Sequence, residues 1–239
     1  MIIVRSRKEI IKNLIVAVCA IAIGFVVKFL PFQRVFQEKN NIKNCIIVDA
    51  GHGLPDGGAV GVGGTIEQEI NLAVAKKVEE VLLGKGIQVI MTRDTEQCLC
   101  DEQEGKTIRK IKVEDMNKRL EIIKNSDADL FVSIHMNCFE SEKAHGLRVF
   151  YDKSHPQIKT LAQEIQSKIA EVTGASTYAV KQAEDSLFLM KNTSIPAILA
   201  ECGFISNREE EKKLNDEDYQ SRLAWAIADA CEEYILSLK

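Results

Sequence analysis

Among the residues of the 239-residue chain able to bind a metal or move a proton, four stand where an apolar run begins or ends. His52 follows the run Cys45 to Asp49, His135 closes Leu130 to His135, and Glu201 closes Ala197 to Glu201. Glu67 opens an amphipathic stretch after the glycine-rich segment Gly51 to Gly64. In open α/β sheets, sites gather at the carboxyl ends of strands, and glycines let a loop fold back tightly over those ends. The four side chains can therefore converge. Two histidines and one glutamate form a common catalytic zinc set that leaves a position open for water, and a carboxylate outside the set can take the water proton and return one to a leaving amine. His52, Glu67 and His135 supply such a set for Zn2+, and Glu201 supplies the free carboxylate.

Each residue also has a purely structural reading. Glu67 suits the first turn of a helix, with Thr65 as cap and Gln68 completing a capping box. Asn71, one turn later, is either a surface residue or a donor to a ligand. His135 fits a core histidine, and Glu201 a carboxylate paired with a cation. His145 before Gly146 reads as a turn residue and His155 beside Pro156 as a helix-start residue, neither a ligand. A thiol mechanism with Cys202 or Cys138 as nucleophile and His135 as base is chemically sound, but it leaves His52 and Glu67 without work.

The elements that must position these groups alternate from Cys45 onward as short apolar runs and amphipathic stretches, the pattern of an α/β layer protein. Strands are expected over Cys45–Asp49, Ile87–Met91, Leu130–His135, Leu147–Tyr151, Leu187–Met190 and Ala197–Glu201. Helices are expected over Glu67–Leu83, Met116–Asn125, a stretch from Ile158 to Ile169, and Tyr219–Leu238 with Leu223, Trp225 and Ala226 in the core. Cys98 to Lys112 is polar, lacks periodicity and reads as a surface excursion.

The amino terminus differs from the rest. Arg5, Arg7, Lys8 and Lys12 precede an apolar run from Asn13 to Val27 that continues into Leu30, the pattern of a single transmembrane helix with its amino end in the cytoplasm. The expected organisation is a membrane anchor over residues 1–30, a linker over 31–44 and a catalytic domain over 45–239 held outside the cytoplasm; secretion after signal cleavage is the competing reading. A composition of 46% hydrophobic and 28% charged residues suits one globular core. A net charge of -4 from interleaved signs excludes a basic field for nucleic acid. Seven cysteines at irregular spacing form no disulfide framework, Cys45, Cys138, Cys202 and Cys231 are expected to be buried, and a two-residue separation disfavours a bridge between Cys98 and Cys100.

Read in order, Val48 to Gly58 (VDAGHG-x-x-x-GG), Gly64 to Leu72 (G-x-x-E-x-x-x-NL), Ala128 to Asn137 (ADLFVSIHMN) and Pro196 to Asn207 (PAILAECGFISN) resemble the blocks of the N-acetylmuramoyl-L-alanine amidase family of zinc hydrolases. The resemblance implies His52, Glu67 and His135 as zinc ligands, Glu201 as the catalytic carboxylate, and a mixed six-stranded sheet flanked by helices in three layers. It implies peptidoglycan as substrate, cut between the lactyl group of the muramoyl sugar and L-alanine. The form without wall-binding repeats is most similar to amidases of spore-forming bacteria, which implies cortex maturation with muramic-lactam formation before germination and an accessory protein of the sporulation machinery. Asn137, Lys191 and Arg93 are candidate substrate contacts, Arg93 in the TRD turn being equally suited to a wall-peptide carboxylate and to a surface or structural pairing. Gln68 stands where the family usually has lysine, and Lys191 where arginine is common, so the carboxylate contacts differ from the usual bidentate form. A zinc peptidase acting on wall peptides, or a wall-binding protein with impaired turnover, shares the same fold and metal set.

Overall fold

A computed structural model of the chain describes residues 44–101, 105–155 and 157–238. Six strands form one sheet: β1 (Cys45–Ala50), β2 (Gln88–Met91), β3 (Leu130–Asn137), β4 (Arg148–Tyr151), β5 (Lys181–Gln182) and β6 (Ala197–Phe204). Their spatial order is β2-β1-β3-β6-β4-β5. β2, β1, β3 and β6 run parallel, whereas β4 pairs antiparallel with β6 and carries β5 parallel to itself. The sheet is mixed, as expected.

Among the described residues six helices accompany it: α1 (Glu67–Gly84), α2 (Ile108–Lys124), α3 (Ile158–Thr173), α4 (Phe188–Asn192), α5 (Arg208–Leu214) and α6 (Glu217–Ser237). Alternation along the strands divides the core in two. Ile46, Val48, Val132, Ile134, Ile198 and Ala200 point to one face and pack with Val74 and Val78 of α1, Leu161 and Ile165 of α3, and Leu223 and Ile227 of α6. Ile47, Phe131 and Leu199 point to the other and pack with Leu120 and Ile123 of α2 and Leu189 and Met190 of α4. On this second face the strands turn polar towards their carboxyl ends, through Asp49, Ser133, His135 and Glu201.

The fold departs from expectation in several places. The transmembrane helix is corrected: among the described residues no helix is long and apolar enough to cross a membrane, and the expected anchor at 1–30, with nearly all of the 31–44 linker, lies outside the described residues. Leu187–Met190 is no strand. Phe188 to Asn192 forms a short helix whose Leu189 and Met190 cover the second face, and the sixth strand is Lys181–Gln182, exposed and polar. α2 starts eight residues earlier than expected, at Ile108, where the Thr107 hydroxyl accepts from the Lys110 amide at 3.4 Å. Ile66, not Thr65, is the N-cap of α1, without a side-chain cap. Trp225 is exposed, Cys138 is exposed, Cys45 is only partly buried, and Cys98 is bonded to Cys100.

The second face holds a buried charge. Arg119 of α2, 0% exposed, donates to Asp49 Oδ1 at 2.5 Å, to Asp115 Oδ2 at 2.8 Å and to the Ala50 carbonyl at 2.8 Å, and also to the His52 carbonyl. Asp49 further accepts from the hydroxyls of Thr92 at 2.7 Å and Ser133 at 2.5 Å. Burial alone would raise the Asp49 carboxyl, but Arg119 and the two hydroxyls outweigh it and hold it below the usual carboxylate range. Removing one partner strands the other, so Arg119→Met should destabilise the protein by about 3–5 kcal/mol in urea unfolding. Asp49 stabilises the fold above its unfolded value of about 4, and that contribution is lost as pH falls through the lower folded value. Unfolding free energies measured between about pH 5 and pH 2 should therefore fall in the native protein and fall less steeply in Asp49→Asn.

Candidate active site

β1 ends at Ala50, and the chain must turn sharply to keep His52 over the sheet. His52 does so with φ 62, a left-handed conformation that is uncommon for a residue with a side chain. Two buried arginines hold the turn. Arg93 donates to the carbonyls of Ala50 at 2.8 Å, Gly51 at 2.9 Å, Gln68 at 2.9 Å and Thr95 at 2.8 Å, while Arg119 takes Ala50 and His52. Burial, and then the nearby Arg119, push Arg93 down to about 10, which leaves it charged at neutral pH.

Glu67 is the first residue of α1 and almost wholly buried. Its Oε2 accepts from the Ala59 amide at 2.9 Å, and its Oε1 from the Met136 amide at 3.2 Å and Asn71 Nδ2 at 3.3 Å. Asn71 also donates to the Gly51 carbonyl at 3.1 Å, so of its two readings it is the buried donor. The carboxylate lies between two imidazoles, 3.3 Å from His52 Nε2 and 3.1 Å from His135 Nδ1. Burial would raise Glu67, but hydrogen bonds and charge from both histidines outweigh it and lower it strongly. Burial would likewise lower His52, but hydrogen bonds to Asp56 and Glu67 and their charges raise it to about 9.

One ligand atom from each of His52, Glu67 and His135 lies within 4.8 Å of the others, a cluster able to hold a metal ion. The two rings stand edge to face with centroids 5.1 Å apart. Glycines leave the space around them. A Cβ on Gly51 would lie 2.3 Å from His135 Cε1 and Nε2, and one on Gly58, itself at φ +73, 2.5 Å from Glu67 Oε2.

Glu201 is the direct neighbour of His135 across β3 and β6, and of Arg148 across β4. Its Oε2 is sheltered from solvent without a hydrogen-bond partner, and burial raises its carboxyl above the ordinary value. His52, His135 and Glu201 share a cavity of about 230 Å³ with Ser133, Lys112 and an apolar wall from Met116, Phe131 and Leu187 to Met190.

Arg93, Asn137 and Lys191 are not among the cavity's lining residues. Asn137 ends β3, and Lys191, in the last turn of α4, forms an ion pair with Asp185 at 3.0 Å. His145 turns to the Lys143 carbonyl at 2.9 Å and His155 to Asp152 at 3.0 Å, both away from the cluster. Cys202 is buried and burial pushes its thiol far up, which removes it as a nucleophile. Sequence reasoning missed Asp56, beside His52, and Lys112, which pairs with Asp56. The one available signal was the four-residue step from His52 to Asp56 within the glycine block.

Residues 46–233 match the N-acetylmuramoyl-L-alanine amidase family, and the chain belongs to it. It is accordingly an enzyme, a hydrolase of the amide between N-acetylmuramoyl groups and L-alanine. The germination-specific N-acetylmuramoyl-L-alanine amidase of Bacillus subtilis (strain 168) is 33% identical over 213 residues, which cover 86% of this chain and 89% of the relative. The CwlD amidase from Clostridioides difficile, solved in complex with the GerS lipoprotein, is 40% identical with a TM-score of 0.77, over 82% of this chain and 100% of that one. The catalytic domain of CwlV from Bacillus (Paenibacillus) polymyxa var. colistinus is 33% identical with a TM-score of 0.70, over 82% of this chain and 99% of that one.

Gly51→Ala should fold, because only a side chain in the cavity is displaced, yet a metal ion at the His52, Glu67 and His135 cluster should be held roughly tenfold or more weakly as His135 is pushed aside. Chelator competition on the purified variant measures this, and native affinity would show that His135 has room to spare.

Proposed function

We propose that His52, Glu67 and His135 hold a zinc ion and that Glu201 is the acid-base residue of an amidase that trims spore-cortex peptidoglycan, in the maturation that forms muramic lactam and prepares germination. The observation that carries this reading is the convergence of three ligand atoms, two of them on histidines that share a cavity with Glu201 and its partnerless oxygen. The donor set fits zinc, since two imidazole nitrogens and one carboxylate oxygen are a catalytic zinc set with a position to spare. When bound, zinc supplies Lewis acidity to the scissile carbonyl and to the attacking water.

The chain's own residues do the rest. Glu201 accepts the proton of the attacking water and returns it to the alanine nitrogen as the amide breaks; burial, by raising its carboxyl, strengthens it as a base. The apolar wall of α2 and α4 excludes water from the far side of the cavity. Lys191 and Asn137, at the ends of α4 and β3, serve as contacts for the substrate, Lys191 as a point charge for a stem-peptide carboxylate. Arg93, with its donors on four backbone carbonyls, supports the His52 turn and is better placed for that than for substrate.

The spore role rests on the likeness to the germination-specific relative, and an accessory protein on the likeness to an amidase solved with a lipoprotein. The reading of residues 45–239 as one catalytic domain is supported by the compact unit that begins at residue 43. A peptidoglycan substrate puts its work outside the cytoplasm.

His52→Ala and His135→Ala should each lose zinc, and Glu67→Gln should lower occupancy in a way that high zinc partly restores. His145→Ala and His155→Ala should keep full metal content, and equal zinc in all five proteins would reject the ligand set. Glu201→Gln should keep zinc while turnover on purified cortex peptidoglycan falls by roughly 10²- to 10⁴-fold. Mass spectrometry of the digest decides the bond: peptides released with a free L-alanine amine mark the amidase, whereas cleavage within the stem marks a peptidase.

A further inference from the structure

The ring of His52 is gripped at both nitrogens. Nε2 faces Glu67, while Nδ1 lies 2.9 Å from Asp56 Oδ2. Asp56 is fixed in turn. Its amide donates to the Gly53 carbonyl and its carbonyl accepts from the Gly53 amide, each at 3.0 Å, so residues 53 and 56 close a small antiparallel bridge directly after His52. Its Oδ1 accepts from the Gly58 amide at 3.4 Å, and its Oδ2 also meets Lys112 Nζ at 3.1 Å. The side chain is mostly sheltered, and both Asp56 and Lys112 border the cavity.

From this geometry we infer that Asp56 is a positioning residue for the metal centre, which fixes the proton of His52 on Nδ1 and so presents a bare Nε2 towards the position between Glu67 and His135. The inference rests on the zinc reading of the cluster. An imidazole offers a metal one lone pair, and the partner of the other nitrogen decides which one is free. A carboxylate on Nδ1–H also makes Nε2 the better donor and prevents rotation of the ring, which matters for a residue whose backbone is already held in a left-handed turn. Lys112 contributes less. Its side chain is 50% exposed, and an ion pair at such a site is largely screened.

The test uses the full chain, stripped of metal and titrated with Zn2+ against a chromophoric chelator. Asp56→Asn keeps an acceptor for the Gly58 amide but lacks the charge, and it should bind zinc roughly 10- to 100-fold more weakly, while the metal-free protein still unfolds cooperatively. Asp56→Ala should be at least as weak, and Lys112→Met should change affinity by less than about fivefold. Native affinity in Asp56→Asn, beside loss of zinc in His52→Ala, overturns the inference and leaves the ligand set standing. Native affinity in His52→Ala overturns both. Nitrogen-15 histidine spectra of the zinc-loaded native protein give a reading that does not depend on variants. A protonated Nδ1 on His52 is expected, and a bare Nδ1 refutes the assignment.

Discussion

Backbone carbonyls left bare at the end of β1 set the terms for everything around them. Ala50, Gly51 and His52 turn out of the sheet in a mostly buried place, where an unmet carbonyl is costly. Arg93 and Arg119 meet all three, and the planar fork of each guanidinium lets one side chain reach several oxygens at once. The two cations are held in the interior by Asp49 and Asp115 together with those carbonyl dipoles. The left-handed turn at His52 is a product of this arrangement, because the surrounding bonds over-determine a conformation the residue would not choose alone.

The pleat then distributes the chemistry. Ile47 and Asp49, Phe131, Ser133 and His135, and Leu199 and Glu201 share one face, so each strand begins apolar under α2 and α4 and ends polar at the cavity. This is why His52, His135 and Glu201 were legible from sequence alone: a polar residue closing an apolar strand lies where the hydrophobic pattern gives way. Glu67 was legible from its place after the glycine loop, although a helix-start carboxylate is ambiguous by itself. Arg93 was ambiguous for the same reason. A basic residue at a strand end is equally suited to substrate and to backbone, and burial decides which.

What escaped the sequence reading has no periodic signal. Leu187 to Met190 is an apolar run too short to display a helical period, and it resembles a strand until the cavity it roofs is seen. Lys181–Gln182 pairs by backbone alone. The first turns of α2 expose Ile108 and Val113 and bury only Ile111 and Asp115, so their amphipathicity is faint. The charged stretch of α5 resembles a solvated surface, yet Glu211 accepts from the amides of Gly63 at 2.7 Å and Thr65 at 3.1 Å, and Glu210 from those of Gly146 at 2.8 Å and Phe204 at 2.7 Å. Those two carboxylates pin the glycine loop that leads into Glu67 and the turn that leads into β4, contacts that no local pattern announces.

The position of β6 between β3 and β4 has a consequence for how the chain matures. On the ribosome every other strand emerges before it, and until Phe204 is made the sheet is two separate pieces, β2-β1-β3 and β4-β5, each with an open edge that invites wrong pairing. Closure waits on the insertion of a late strand into the middle, a non-local step of the kind that slows folding. Because Glu201 rides on that strand, the event that seals the sheet also completes the constellation. A nascent or half-folded chain without β6 in place therefore has no Glu201 beside His135.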